Sequence, residues 1–235
     1  MPVNTAVFVT VCTEDLLPDD LKTYFLEDPL RFVTGLEAVE AVEIYVPAQG
    51  EVPRMDDIPA PAISVQIDLN SAAAAKAMVS DAAFKRLFSE ADSLAKRVKR
   101  ITLEIVEPVH YPLPGYPTPP PRTAAMSFVV RYYGPTKNLS DFVNFYTENH
   151  PPLLAQFPGI RNVLCYLPVD WDRKEAVVND DLVIGNEVVF DDLDALNHAL
   201  DSDILAAVMA DSEKFADYGY SSHHAMDRVA AYRRD

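Results

Sequence analysis

His150 is the side chain in this sequence that is best placed to do chemistry. It occurs in the stretch NFYTENHPPLL, residues 144–154. Pro151 disfavours helical geometry at the residue before it, so the sequence predicts a helix that ends close to His150. An imidazole at a helix C-terminus is stabilised in its protonated form and titrates near neutrality, which suits a general acid or base. A capping or solvent-facing histidine is the alternative.

Tyr146 is the second candidate for a catalytic role. It lies four residues before His150, so the two side chains share a face if the helix persists. The phenol would then position a substrate or stabilise an oxyanion, and packing in the core is the alternative.

The strand-like segment SFVVRYY, residues 127–133, supplies three further candidates for contact with a substrate. A period of two puts Phe128 and Tyr132 on one face and Arg131 on the other, and either face is a candidate cavity wall. An arginine inside an otherwise apolar strand needs an anion. The sequence therefore predicts that Arg131 contacts a carboxylate, either of a neighbouring residue such as Glu187 or of a substrate.

Three aromatic side chains further along the chain are also candidates. His223 and His224 are adjacent in the last strand-like segment, so they point to opposite faces and cannot chelate one metal ion together. One of them would face the cavity, although a structural or exposed role is the alternative for each. Trp171 lies in a polar loop, where it would either cover an aromatic ligand or simply pack.

The elements that position these residues occur twice, in the order strand, helix, strand, strand, helix, strand. The strands of the first half are predicted at 6–12, 39–46, 62–69 and 101–109, with helices from Asp19 to about Asp28 and from Ser71 to about Arg97. Those of the second half are predicted at 127–133, 161–169, 186–192 and 225–232, with helices from Ser140 to about Asn149 and from Leu193 to about Phe215, the latter interrupted. Corresponding elements are offset by roughly 121 to 124 residues, which indicates an internal duplication.

A proline-rich segment separates the two copies. Seven of the 19 prolines fall between Pro108 and Pro121, where each ring fixes φ and removes a backbone donor. The predicted organisation is an N-terminal repeat at 1–107, a linker at 108–124 and a C-terminal repeat at 125–235. We expect an α+β chain of two ferredoxin-like (βαββαβ) repeats, packed sheet to sheet so that each sheet covers the other's apolar face.

Composition excludes several functional classes. The formal charge of −16 argues against a nucleic-acid partner, because polyanion binding needs a basic surface. The sequence contains no G-x-G-x-x-G, P-loop, G-x-S-x-G, C-x-x-C or H-E-x-x-H motif, and its two cysteines have no neighbours at metal-ligand spacing. We therefore expect no metal and no cofactor. Neither a membrane span nor a signal peptide is evident, which favours a cytoplasmic protein with no membrane partner.

The stretch FYTENHPPLL, followed by Pro158-Gly159-Ile160 and by the strand that contains Tyr166, resembles the EthD-like family of the dimeric α+β barrel superfamily. The resemblance covers about Ala125 to Tyr232, and the first half matches by topology alone. It implies an intrachain dimeric α+β barrel with a site near His150 and makes Tyr166 another candidate for contact with substrate. The first half reads Glu27-Asp28-Pro29-Leu30 at the corresponding position, so we expect one active cavity per chain.

What the resemblance implies about activity is broad. The superfamily includes cofactor-free cyclases, dehydratases, decarboxylases and isomerases, as well as quinone-forming monooxygenases and haem proteins. The leading expectation is a cofactor-independent lyase, isomerase or cyclase that acts on a small aromatic or polyketide-like carbonyl compound, with His150 moving the proton. The alternatives are a cofactor-free or haem-using oxygenase and a small-molecule-binding barrel without catalysis. Further homodimerisation of the fused chain stays open.

Overall fold

A computed structural model of the chain describes residues 5–13, 18–52, 59–89, 98–172 and 181–234. Strands in these ranges are β1 (Thr5–Thr13), β2 (Val39–Pro47), β3 (Ile63–Leu69), β4 (Val98–Tyr111), β5 (Met126–Tyr133), β6 (Asn162–Pro168), β7 (Leu182–Phe190) and β8 (Tyr220–Arg233). Helices are α1 (Pro18–Leu26), α2 (Asp28–Thr34), α3 (Ala72–Ser80), α4 (Ala82–Ser89), α5 (Leu139–Leu154), α6 (Leu193–Leu200) and α7 (Ile204–Ser212). No helix in these ranges has both the length and the apolar character needed to cross a bilayer.

The eight described strands form one closed antiparallel barrel. Its order is β1-β3-β2-β8-β5-β7-β6-β4, with β4 hydrogen-bonded back to β1. Each half therefore has the ferredoxin-like order, in which the first strand lies between the fourth and the third. The two sheets join through β2 with β8 and through β4 with β6. The predicted fold class is confirmed.

Several element boundaries differ from the sequence-based prediction. The first predicted helix is followed by a second helix, α2, in which Pro29 occupies an early position where its missing N–H costs nothing. The predicted long helix from Ser71 is two helices, α3 and α4, and residues 90–97 lie outside the described ranges. The interruption predicted in the last helical region is found between α6 and α7.

Strand β4 continues into the segment predicted as a linker. It runs to Tyr111, and residues from Pro108 onward pair with β6. Arg122, further along the connector, reaches between the two sheets. Its guanidinium donates to Gln66 Oε1 at 3.2 Å and to Glu187 Oε2 at 3.0 Å, and it also bonds Glu43. The connector thus contributes a cation that contacts both halves.

The space between the two sheets is more polar than expected. Apolar residues such as Phe8 and Leu164 lie there, but so do buried charged groups, including Glu104 and Arg131. Such groups are tolerated in a core when they are paired and hydrogen-bonded. The expectation of an apolar sheet-to-sheet interface is wrong, because the more continuous apolar clusters lie between each sheet and its own helices.

Alternation along β5 divides its side chains between these two environments. Val130 pairs with Asn186 on β7 and with His223 on β8, and the row that contains it faces the helices. The next position along, Arg131, faces the space between the sheets and lies beside His224. Strand β5 therefore contributes side chains both to the space between its sheet and the helices and to the space between the two sheets.

Candidate active site

A cavity of about 250 Å³ lies between the sheet of the C-terminal half and its helices. It is slightly smaller than the usual range for pockets that hold drug-sized ligands, so it suits a compact molecule. Its described wall residues are Phe128, Val130, Tyr132, His150, Leu154, Phe157, Asn186, Val188, Phe190, Leu196, Ala199, Leu200, Leu205, Val208, Met209, Ser212 and His223. Most of them are apolar, and the few polar groups include two imidazoles, a phenol and an amide.

His150 lies inside α5, not at its end as the sequence predicted. The helix continues through Pro151 and Pro152 to Leu154. A proline in a helix lacks the N–H that would bond the carbonyl four residues earlier, here that of Thr147. The hydroxyl of Tyr111 donates to that carbonyl at 3.1 Å and satisfies it. The predicted helix C-terminus at His150, and its stabilisation of an imidazolium, are therefore wrong.

Asp211 on α7 holds the imidazole of His150. Its Oδ2 lies 3.0 Å from His150 Nδ1, and both side chains are buried. In the neutral imidazole, a proton on Nδ1 donates to the carboxylate, which leaves Nε2 with a lone pair. The pair thus provides an oriented base on the wall of an apolar cavity.

Burial sets the protonation state of His150. Desolvation lowers its pKa below the usual 6.5, although the hydrogen bond and the charge of Asp211 act in the opposite direction. The rings of Tyr146 and Phe215 lie 4.8 and 5.0 Å away between centroids and exclude water from two sides. Near neutral pH, His150 is therefore mostly in the form that can accept a proton.

Tyr146 shares a face with His150 as predicted, but it lies behind the cavity wall. It is fully buried and is not among the described residues that line the cavity. Asn186 Nδ2 bonds its hydroxyl, and its ring lies 5.5 Å from that of Tyr132. Burial raises the pKa of both phenols, so both stay protonated donors. Tyr132 is the phenol that reaches the cavity.

Three predicted site residues lie between the two sheets instead of in this cavity. Arg131 and His224 face that space, and so does Tyr166, whose hydroxyl bonds Glu187. Arg131 pairs with Glu104, at 3.6 Å between Nε and Oε2, and not with Glu187 as the sequence suggested. Glu187 is already bonded by Arg122 and by Ser127, which explains the difference.

The remaining candidates, His223 and Trp171, lie in different places. His223 lines the helix-side cavity, where its ring lies 6.2 Å from that of Phe128. The prediction that His223 and His224 point to opposite faces is confirmed. Trp171 packs against the hydrophobic core of the N-terminal half and is not among the described residues of the cavity wall, so of its two predicted roles the structure shows packing and not a cover.

The corresponding position in the N-terminal half holds almost no space. The cavity there measures about 10 Å³ and is lined by apolar side chains, among them Phe25, Pro29 and Val33. None of the described residues that line it is titratable.

Sequence reasoning missed Asp211 and Asn186. Asp211 is a single acid in the mostly apolar helix ILAAVMADS, and Asn186 is a single amide in the mostly apolar strand LVIGNEVVF. A polar side chain in an apolar, buried element needs a hydrogen-bond partner, so these isolated polar residues could have been identified from the sequence as members of a buried polar contact. Among the described residues, no three His, Cys, Asp or Glu side chains come together in a way that could hold a metal ion.

A haem group, which the resemblance also allows, does not fit the cavity. A tetrapyrrole needs a pocket well above the 250 Å³ found here, and the walls are packed strands and helices.

The closed barrel of two ferredoxin-like sheets, with a cavity on the helix side of one of them, defines the chain as a dimeric α+β barrel protein. No protein-family model matches the sequence, and no curated protein matches it either.

Solved structures with the same fold span nearly the whole chain. An anthrone oxidase-like protein is 12% identical, with a TM-score of 0.65 over 97% of this chain and 92% of that one. A putative monooxygenase from Fusobacterium nucleatum is 10% identical, with a TM-score of 0.57 over 100% and 96%. A mutant chlorite dismutase from Candidatus Nitrospira defluvii is 11% identical, with a TM-score of 0.52 over 95% and 91%. At these identities the likeness shows the fold alone.

The lowered pKa of His150 predicts an acid-sensitive fold. When pH falls below 6.5, the unfolded chain binds a proton that the folded chain resists, so the free energy of unfolding decreases. This one group contributes at most about 1.4 kcal/mol per pH unit. Urea unfolding at pH 7.5 and 5.5 should therefore show a smaller pH difference in His150→Gln than in the unmodified chain. Substitution of the exposed His198 by glutamine is the control, and parallel behaviour of both variants would refute the argument.

Proposed function

We propose that this chain is a cofactor-independent enzyme that removes a proton from a small aromatic or polyketide-like carbonyl compound. The observation that carries the proposal is the pairing of His150 with Asp211 at the wall of an apolar cavity. A buried neutral imidazole whose Nδ1 is held by a carboxylate is an oriented general base. Nε2 accepts the proton, and Asp211 stabilises the imidazolium that forms.

The cavity wall also supplies a donor for the negative charge that develops. Tyr132 and Asn186 line the cavity, and Tyr146, which accepts a hydrogen bond from Asn186 and contacts the ring of Tyr132, packs behind them and fixes their positions. A hydroxyl donor directed at an enolate or phenolate oxygen lowers the barrier to proton removal, and this effect is strong in an apolar cavity. Tyr146 is a positioning residue in this scheme. Phe128 and His223, whose rings lie 6.2 Å apart and are inclined by 30°, offer aromatic faces in the cavity wall against which a ligand ring would pack.

The resulting anion has two chemical fates. In the first, which needs protein groups alone, the anion expels a hydroxide that leaves as water with the proton held by His150, closes a ring on an internal carbonyl, or regains the proton at another carbon. If the proton comes from a carboxylic acid, loss of carbon dioxide leaves a carbanion that takes the proton back from His150. These are the reactions of a lyase, cyclase or isomerase. In the second, it reacts with dioxygen, so that a CH₂ group becomes a carbonyl and one molecule of water leaves. The second candidate is favoured by the fold shared with proteins described as anthrone oxidase-like and as a putative monooxygenase.

We also propose that the chain is a fused tandem of two repeats, at 1–107 and 125–235, and that its C-terminal repeat is EthD-like. The same strand order in both halves supports this view. The near absence of a cavity in the N-terminal half supports a structural role for that half.

The deciding experiment separates the two fates by their need for dioxygen. The full chain is incubated with pooled aromatic carboxylic acids, phenolic ketones and lactones, without added metal or cofactor, in air and under nitrogen. Mass spectrometry should show either a loss or an isomer under both atmospheres, or a gain of 14 mass units in air alone, since a CH₂ group that becomes a carbonyl exchanges two hydrogens for one oxygen.

Substitution of Ala199 by leucine tests whether this cavity is the site of the reaction. Ala199 is a buried residue of the cavity wall and is remote in chain position from the proposed base, so a larger side chain fills the space without removing a functional group. We expect product formation to fall at least about tenfold, which corresponds to ~1.4 kcal/mol of lost binding. Retention of compounds without any change in mass would overturn the enzyme proposal in favour of a binding barrel.

A further inference from the structure

We propose that the space between the two sheets contains a second ligand site, which binds a small carboxylate. A cavity of about 80 Å³ lies there, on the opposite face of β5 and β8 from the candidate active site. Arg131 and His224 line it, whereas their neighbours Val130 and His223 line the larger cavity. The two sites are thus separated by the thickness of one sheet, and the second does not depend on the activity proposed for the first.

Arg131 is held as a preorganised anion receptor. Glu104 contacts its Nε side at 3.6 Å, the ring of Phe8 lies 4.7 Å below the guanidinium, and Nη1 is 3.4 Å from Thr10 Oγ1. The pairing distance to Glu104 exceeds that of a charge-assisted hydrogen bond, so the guanidinium, with its five N–H donors, retains the capacity to donate to a second acceptor. A guanidinium fixed in one orientation loses little entropy when it binds a second anion.

The rest of the cavity wall has the same preference for an anion. Arg100 adds a second guanidinium, and Thr102 and Ser222 add hydroxyl groups that can donate. None of the described residues that line this cavity is acidic, although the whole chain carries a formal charge of −16. Among the described residues, the charged or titratable groups at the site include Arg100, Arg131 and the imidazole of His224, and Glu104 is paired with Arg131.

Size and access define the ligand class. A volume of 80 Å³ is too small for an aromatic ring system but accommodates a carboxylate of two or three carbons. A planar carboxylate matches the fork of a guanidinium, with hydroxyl groups available for a keto or hydroxyl oxygen. Tyr220, which is 42% exposed, and the exposed Pro59 lie at the outer rim, so the site can be reached from solvent.

Isothermal titration calorimetry of the full chain tests this proposal. Sodium acetate, sodium pyruvate and sodium phosphate are titrated separately at constant ionic strength. We expect saturable binding of acetate or pyruvate that weakens about tenfold to a hundredfold in Arg131→Gln and in Arg100→Gln, since each loses a charge-assisted contact. Arg100 is only partly buried, so its variant should fold even if the Arg131 variant does not.

The control is Arg161→Gln, which removes an exposed arginine that is paired with Asp191 at the surface. Its affinity for the carboxylate should equal that of the unmodified chain. An absence of saturable heat with both carboxylates would overturn the site, and so would equal affinities in the Arg100 and control variants. Tighter binding of phosphate than of either carboxylate would overturn the ligand class.

Discussion

Replacement of Asp211 by asparagine should lower kcat by about 10²–10⁴-fold while KM stays within a few-fold. The carboxylate holds the proton of neutral His150 on Nδ1 and stabilises the imidazolium that forms when Nε2 accepts a proton. An asparagine of the same shape provides neither the charge nor the same control of the tautomer. The measurement is steady-state kinetics on the compound identified by mass spectrometry, with Asp201→Asn, an exposed acid at the end of α6, as control.

The pH dependence of kcat/KM distinguishes this role from a purely structural one. The acid limb should lie below pH 6.5, because burial lowers the pKa of His150. Asp211 raises that pKa, so its replacement should move the limb to still lower pH in addition to lowering the plateau. A variant with unchanged kcat, or with a lower plateau and an unmoved acid limb, would contradict the assignment of His150 as the base held by Asp211.

Replacement of Glu43 by alanine should destabilise the chain by about 3–5 kcal/mol. Glu43 is fully buried, accepts a hydrogen bond from Tyr45 and is paired with Arg122, Arg228 and Arg233. Two of these arginines lie on β8 and one lies in the connector, so the ion pairs of Glu43 link the N-terminal half to the C-terminal half and to the connector. Its removal takes a counter-charge from the largely buried guanidinium groups of Arg122 and Arg228, although Arg122 keeps Glu187, and this costs more than the lost contacts alone.

Urea unfolding measures this effect through the midpoint and slope of the transition. Glu148→Ala, on the exposed face of α5, is the matched control and should change the free energy of unfolding by at most about 0.5 kcal/mol. Equal and small losses in both variants would show that the buried network contributes little to the cohesion of the two halves.

The sequence predicts the parts of this structure that depend on local pattern. Alternation along a strand separates Phe128 and Tyr132 from Arg131, and places His223 and His224 on opposite faces. Helical periodicity brings the ring of Tyr146 next to that of His150. The strand order follows from the repeated series of elements, because a βαββαβ unit has few ways to form a sheet.

Long-range contacts determine the parts that the sequence did not reveal. The conformational restriction before Pro151 predicts that α5 ends near His150. The helix continues because Tyr111, which is distant in the chain, donates to the carbonyl of Thr147, for which Pro151 has no N–H. Likewise, Asp211 reaches His150 only because α7 packs on α5. The sequence predicts that Arg131 contacts an anion, but only the packing of the two sheets on each other brings Glu104 of β4 to Arg131 of β5.

Closure of the barrel has a consequence for how the chain can be divided. Each half taken alone would expose the backbone groups of two edge strands, β2 and β4 in one half and β6 and β8 in the other. Unpaired edges of this kind recruit other strands, and here the two halves cover each other along both seams. A chain cleaved in the connector between β4 and β5 should therefore persist as a tightly associated pair of fragments, whereas either fragment expressed by itself should self-associate or aggregate.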